Sequence, residues 1–250
     1  MSNNTTNIMT IDEEIRQMRK WRDGHIYAIS RIESETYQRI LMTACIDAFV
    51  QHQDMIYTMR KQRKKVSDRQ AFSDFLQKYV NDEQRKKWLC LVCPTTLYYD
   101  FLQYYEATPL QLKMDHSPIY AADDPDAVAE AERLISILPQ EKREKARLKH
   151  QYSALIYQMR NKLVHEMTGV GCNANFFAED SDPAPHMVVL SKHERNGVIP
   201  YKWTLHIPIG FLKLCLLEST ENYLNECQLQ QKHPLGDYSP EQKSIFAFYD

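Results

Sequence analysis

The chain has 250 residues, a formal charge of −2, 43% hydrophobic and 26% charged residues, and only six glycines. That length holds one large domain or two small ones and can bury a core, and the slight negative charge excludes a globally basic nucleic-acid coat protein. Any nucleic-acid contact is therefore confined to a local patch, and few glycines beside abundant Leu, Gln, Glu, Lys and Arg favour helices over tight-turned sheets.

Met1 to Thr10 is polar, lacks the apolar run of a secretory leader, and is expected to be a flexible N-terminus. A helix is expected to start at Thr10 or Asp12, with Glu13 and Glu14 favourable in its first turn. After Gly24, residues from about 33 to 61 carry Ile40, Leu41, Ala44, Ala48, Phe49 and Ile56 at a helical period. This segment ends in the basic run Arg60-Lys61-Gln62-Arg63-Lys64-Lys65. Shorter helices are expected over 67–79, 82–90 and 95–106, followed by a loop over 107–125 with Pro109, Pro118 and Pro125. Asp124-Pro125-Asp126 is a helix start, with a cap and then proline at the first position, and Pro139 closes that helix. The next helix opens at Pro139 and is expected to run to about Met167, where Gly169 and Gly171 stop it.

The last third changes character. Residues 186–192 and 201–207 read as two strands, the second alternating Tyr201, Trp203, Leu205 and Ile207 with Lys202, Thr204 and His206. Asn196-Gly197 is a turn signal between them, in a loop expected to be longer than two residues. Pro208 starts an amphipathic helix to about Leu229, and residues 231–250 read as a loosely packed tail. The expected fold is mainly α: a single helical-bundle domain over 11–230 with a β-hairpin at about 186–207 followed by a helix. No segment approaches the roughly 18 apolar residues that span a bilayer. Six cysteines in mostly apolar helical patterns, with no leader, are expected as reduced thiols in a cytoplasm.

The stretch carrying the most chemistry is Met159-Arg160-Asn161-Lys162-Leu163-Val164-His165-Glu166. On a wheel of about 100° per residue, Leu148, Tyr152, Leu155, Ile156, Met159 and Leu163 form one stripe and must be the core face. Asn161 and His165 stack nearly opposite that stripe, with Tyr157 and Val164 on the same side, and Arg160 lies on the flank between. This second face is neither simply polar nor simply apolar, as expected where another surface packs against it. The plainer reading is a solvated helix end. Arginine, amide and imidazole together can hold and cleave a phosphodiester.

Arg160 and Asn161, then His165 after four intervening residues from the arginine, late in a long helix of a helical domain, resemble the signature of the HEPN superfamily (higher eukaryotes and prokaryotes nucleotide-binding domains). The family pattern is Arg, a polar residue that is often Asn, and a His after four to six intervening residues. The resemblance covers the motif helix and, by helical pattern, roughly residues 33–167. It implies a HEPN-like helical bundle, often a homodimer whose two motif helices form one composite cleft, and a metal-independent ribonuclease that uses no cofactor. Arg160 would bind the scissile phosphate, His165 would act as general acid or base, and Asn161 would orient either. The RNA's own 2′-hydroxyl would be the nucleophile. HEPN toxins paired with nucleotidyltransferase antitoxins often carry a Tyr two residues after the His, where this chain has Met167. Any antitoxin or regulatory partner would be a separate protein. The alternative is a non-catalytic HEPN-like module that binds RNA, nucleotide or protein.

Other signals are weaker. Arg60, Lys61, Arg63, Lys64 and Lys65, with Arg69 and Arg85-Lys86-Lys87, could contact an RNA backbone, although a solvated helix end is commoner. Tyr98, Tyr99, Phe101, Tyr104 and Tyr105 could stack bases but more often pack in a core or dimer. Cys90 and Cys93 have metal spacing with no second half, so buried thiols and no metal are expected. His186, His193 and His206 are expected on the surface. There is no phosphate-loop or dinucleotide fingerprint.

Overall fold

The computed structural model describes residues 9–52, 66–105, 110–112, 119–165, 184–190, 193–194, 197–198 and 202–234. Its elements are α1 (Ile11–Ile29), α2 (Glu35–His52), α3 (Asp68–Tyr79), α4 (Glu83–Cys90), α5 (Pro94–Asp100), α6 (Leu102–Tyr105), β1 (Ile119–Ala121), α7 (Pro125–Ile137), α8 (Gln140–His150), α9 (Tyr152–His165), β2 (His186–Leu190), β3 (His193–Glu194), β4 (Gly197–Val198), β5 (Lys202–His206) and α10 (Ile209–Leu229). The fold is mainly helical, with a small antiparallel sheet.

Local chemistry sets most helix starts. Thr10 caps α1 by accepting from the Glu13 amide at 3.3 Å, and Glu13 returns the bond by accepting from the Thr10 amide at 2.8 Å. Ser67 caps α3 and Asp82 caps α4. Asp124 caps α7 ahead of Pro125, whose missing N–H falls where a helix has no use for one. Gly24 does not end α1, which runs on to Ile29.

The main core lies among α1, α2, α3, α9 and α10, with α9 and α10 each packed on both α2 and α3. Phe49, Phe72, Phe75, Leu76, Tyr152, Ile156, Met159, Phe211 and Leu216 are almost wholly buried there. On α2 the buried stripe is Met42, Cys45, Ile46, Phe49 and Val50, so the expected stripe is rotated: Leu41 faces out and Ile40 is half-buried. A smaller cluster of Val92, Leu97, Tyr105, Leu134, Ile135 and Ala146 fastens α5, α6, α7 and α8 to one another. Polar clamps close the outside of the bundle. Glu221 of α10 accepts from Arg19 at 2.7 Å and from Arg22 at 2.8 Å, and Glu218 accepts from Arg85 at 3.0 Å.

Three expectations are corrected. The long helix from Pro139 to Met167 is two helices, because Gln151 adopts extended backbone (φ −62°, ψ 145°) and makes a β-bridge with Val92. The stretch 107–125 is not all loop: Ile119–Ala121 pairs antiparallel with β2, giving a three-stranded sheet in the order β1-β2-β5. β2 and β5 pair as the expected hairpin, with Met187 opposite Leu205. Antiparallel pairing then resumes between Glu194 and Gly197, closer to the turn than the long loop expected from sequence.

After α10, residues 231–234 are fastened down. Tyr223 Oη donates to the Pro234 carbonyl at 2.8 Å, and His233 meets the fully buried Glu14 at 2.9 Å. The rest of the expected tail, residues 235–250, lies outside the described residues. No helix among the described residues is long and apolar enough to cross a membrane.

Candidate functional site

α9 is seated by its first residues. The Cys93 amide donates to the His150 carbonyl at 2.9 Å and the Tyr152 amide donates to the Leu91 carbonyl at 3.0 Å, so the break is stitched to the α4–α5 connection. Ser153 shares a 2.6 Å hydrogen bond with Ser73 of α3, both buried, and Gln77 Nε2 donates to Ser153 Oγ at 2.9 Å and to Gln151 Oε1 at 3.0 Å. From this start Tyr152, Leu155, Ile156, Met159 and Leu163 point into the core, as the wheel requires. Leu148 does not: it lies in α8, before the break, and is exposed.

Arg160 stands at the edge of the buried face and Asn161 on the side away from it, both half-buried. The Arg160 side chain is 26% exposed, Lys162 and Val164 are exposed, and Tyr157 is half-buried with its ring 5.5 Å from that of Phe72. Part of the second face is thus covered by α3 of the same chain. Arg160 Nη1 donates to Asn161 Oδ1 at 2.9 Å, and Arg160 Nη2 lies 3.5 Å from Asp47 Oδ2 of α2. Arg160 Nε is buried and has no hydrogen-bond partner among the described residues. Because Asn161 spends its carbonyl oxygen on Arg160, its amide nitrogen is left as a donor. The pair is therefore rich in donors, which suits an anion. His165 closes α9, four residues past Asn161 and so on the same side of the helix axis. Its side chain is outside the described residues, as are Arg60, Lys61, Arg63, Lys64 and Lys65.

Asp47 is the residue sequence reading missed. An acid between the buried Ile46 and Phe49 on an apolar stretch is a signal that a cation from another element faces it.

The remaining candidates resolve by geometry. Arg85 is held by Glu218 and Asp82, and Lys87 lies 3.6 Å from Asp123, so two cations of that trio are already paired. Tyr105 is buried, stacks on Tyr98 with centroids 5.6 Å apart, and donates to the Leu134 carbonyl, which makes this end of the aromatic run core. Burial pushes its phenol up to about 12. Tyr99 alone of the five is a large exposed ring. Cys93 is buried and Cys90 is exposed, and no metal-binding group of His, Cys, Asp and Glu occurs among the described residues.

His186 and His206 correct the surface expectation. They are buried, directly opposite on β2 and β5, with ring centroids 4.7 Å apart. Burial first, then the neighbouring His186 and Arg39, push His206 down to about 4. The side chain of His193 lies outside the described residues. A third buried imidazole, His150 at the end of α8, touches Thr96 and Asp100 at 3.1 Å each. Burial pushes it down to about 4 despite the opposing pull of Asp100.

Comparison with protein-family models, with curated proteins and with solved structures finds no match to this chain.

Proposed function

We propose that the chain is a metal-independent endoribonuclease of the HEPN type, acting as a homodimer on RNA in a toxin, stress or anti-phage defence setting. The observation that carries this is the donor pair Arg160–Asn161 at a partly exposed edge of α9, with His165 one turn further along the same helix. The guanidinium would hold the non-bridging oxygens of a phosphodiester and favour the charge that gathers there during attack. The 2′-hydroxyl attacks phosphorus, the bond from phosphorus to the 5′ oxygen breaks, and the products are a 2′,3′-cyclic phosphate and a 5′-hydroxyl. His165 would take the 2′ proton or give one to the leaving oxygen. Exposed Val164 and Lys162 beside the pair leave room for a second copy to complete the cleft. An antitoxin or regulator would be a separate chain.

The test is cleavage of varied RNAs in EDTA by the full chain and by Arg160→Ala and His165→Ala. Loss of about a hundredfold or more in each variant, with unchanged melting, is expected, and DNA should be resistant. Wild-type protein that leaves all RNAs intact, or variants that cleave normally, would defeat the reading.

One observation favours a second reading, in which the same site binds without cleaving. Arg160 already has an acidic neighbour and an amide acceptor inside its own chain. Calorimetric binding of RNA that yields no cyclic phosphate product would support that alternative.

A further inference from the structure

We propose that Asp47 is a positioning residue for the Arg160–Asn161 pair and competes with the anion that the pair takes; this rests on reading the pair as a phosphate site. Its 3.5 Å approach to Arg160 is looser than the 2.7 and 2.8 Å contacts that Glu221 makes with Arg19 and Arg22. A charge-assisted hydrogen bond at full strength sits at about 2.7–2.9 Å. The guanidinium is thus held firmly at one edge, by Asn161 at 2.9 Å, and loosely at the other. The loose edge is the one an incoming phosphate oxygen can take over.

Asp47 stays in place when that happens. Its side chain is only 16% exposed on α2, which packs against α9, so the fold rather than the loose 3.4 Å approach of Gln51 Nε2 to Oδ1 keeps the carboxylate there. A carboxylate that remains beside the ligand repels it. An isolated phosphate, with one contact to offer, loses most from this repulsion. A chain of phosphodiesters recovers the loss through contacts made elsewhere. Asp47 therefore gives the guanidinium a loose second hold beside that of Asn161 and biases the site against free phosphates and toward polynucleotides.

Calorimetric titration of the full chain with inorganic pyrophosphate tests this without needing cleavage. Asp47→Asn removes the charge and keeps the shape. One charge some 6 Å from the ligand, at an intermediate effective dielectric, corresponds to about a tenfold gain in pyrophosphate affinity. Asp47→Ser removes the same charge with less volume and should show the same gain, so a folding failure of one variant leaves the other. Asp47→Glu, which keeps the charge, should stay within about threefold of wild type. A purely structural role would move the melting midpoint and leave this pattern absent. Binding that Arg160→Ala abolishes but that Asp47→Asn and Asp47→Ser leave unchanged would overturn the role of Asp47 alone. Pyrophosphate binding that survives Arg160→Ala, or none in the wild type and the charge-removing variants, would overturn the site reading and this proposal with it.

Discussion

His150 and His206 should make the protein lose stability steeply between pH 6.5 and 4.5. Both rings are buried, and burial holds both down to about 4 from the ordinary value near 6.5. Between those values the unfolded chain binds protons that the folded chain refuses. Stability is therefore full above about pH 6.5 and falls as pH drops toward 4. Each histidine contributes about 1.4 kcal/mol per pH unit within that window, so the two together give a slope near 3 kcal/mol per unit. By pH 5 the loss is about 4 kcal/mol, a large part of the 5–15 kcal/mol that usually separates folded from unfolded. Carboxylates held low by partners, Asp100 and Glu221 among them, lose their contribution in the same direction, but largely below the ordinary carboxylate range. The upper part of the window thus isolates the imidazoles.

Urea unfolding at half-unit steps from pH 8 to 4.5 reads the slope, with urea chosen because it is uncharged. His206→Gln should lower stability at pH 8, where it disturbs packing against His186, yet cut the slope over pH 6.5–5 to about half. His150→Gln should do likewise. A wild-type slope below about 0.5 kcal/mol per unit in that range, or a slope that neither substitution changes, would show that the two rings are not buried neutral.

Two further expectations concern the bundle. Glu221→Ala removes the shared acceptor of Arg19 and Arg22; among the described residues the Arg22 side chain, 8% exposed, would keep Asp23 and Thr220. Glu221 is itself 38% exposed, so the loss should be about 1–2 kcal/mol by urea unfolding, and a loss under about 0.3 kcal/mol would show that the clamp acts as a surface pair. Phe49→Ala empties a fully buried position against Trp21 and Tyr223 and should lower stability by about 3–5 kcal/mol in the same assay. A loss below about 1 kcal/mol would place Phe49 outside the core.

What the sequence disclosed depended on how local the deciding physics was. The starts of α1, α3, α4 and α7 are written in single capping residues, Thr10, Ser67, Asp82 and Asp124, and were legible. The β2–β5 hairpin was legible because alternation and a turn signal lie close together. β1 was not: three residues without a period of their own become a strand only because β2 offers an edge about 65 residues away. The burial of His186 and His206 follows from that same sheet, and a histidine carries no mark of which face it will take. For the candidate site, Arg160 and Asn161 stood out as a motif, whereas Asp47 needed the packing of α2 on α9 to come into view.

The break at Gln151 decides where the motif points. In a continuous helix Leu148 and Tyr152, four residues apart, would lie about 40° from each other on the wheel and share a fate. Instead Leu148 is 39% exposed and Tyr152 is fully buried, so α9 starts with a phase that α8 does not supply. That phase is set by the Leu91 carbonyl on the Tyr152 amide and by the Ser73, Gln77 and Ser153 hydrogen bonds. Counting from buried Tyr152, Asn161 comes nine residues later, at about 900°, which is directly opposite. Arg160 falls about 80° from Tyr152, near enough to the core for its stem to be covered and its guanidinium to reach Asp47. A helix that ran on from α8 would turn the pair to a different side. The extended residue between α8 and α9 is thus what places an arginine and an amide side by side where α9 meets α2 and the bundle's surface.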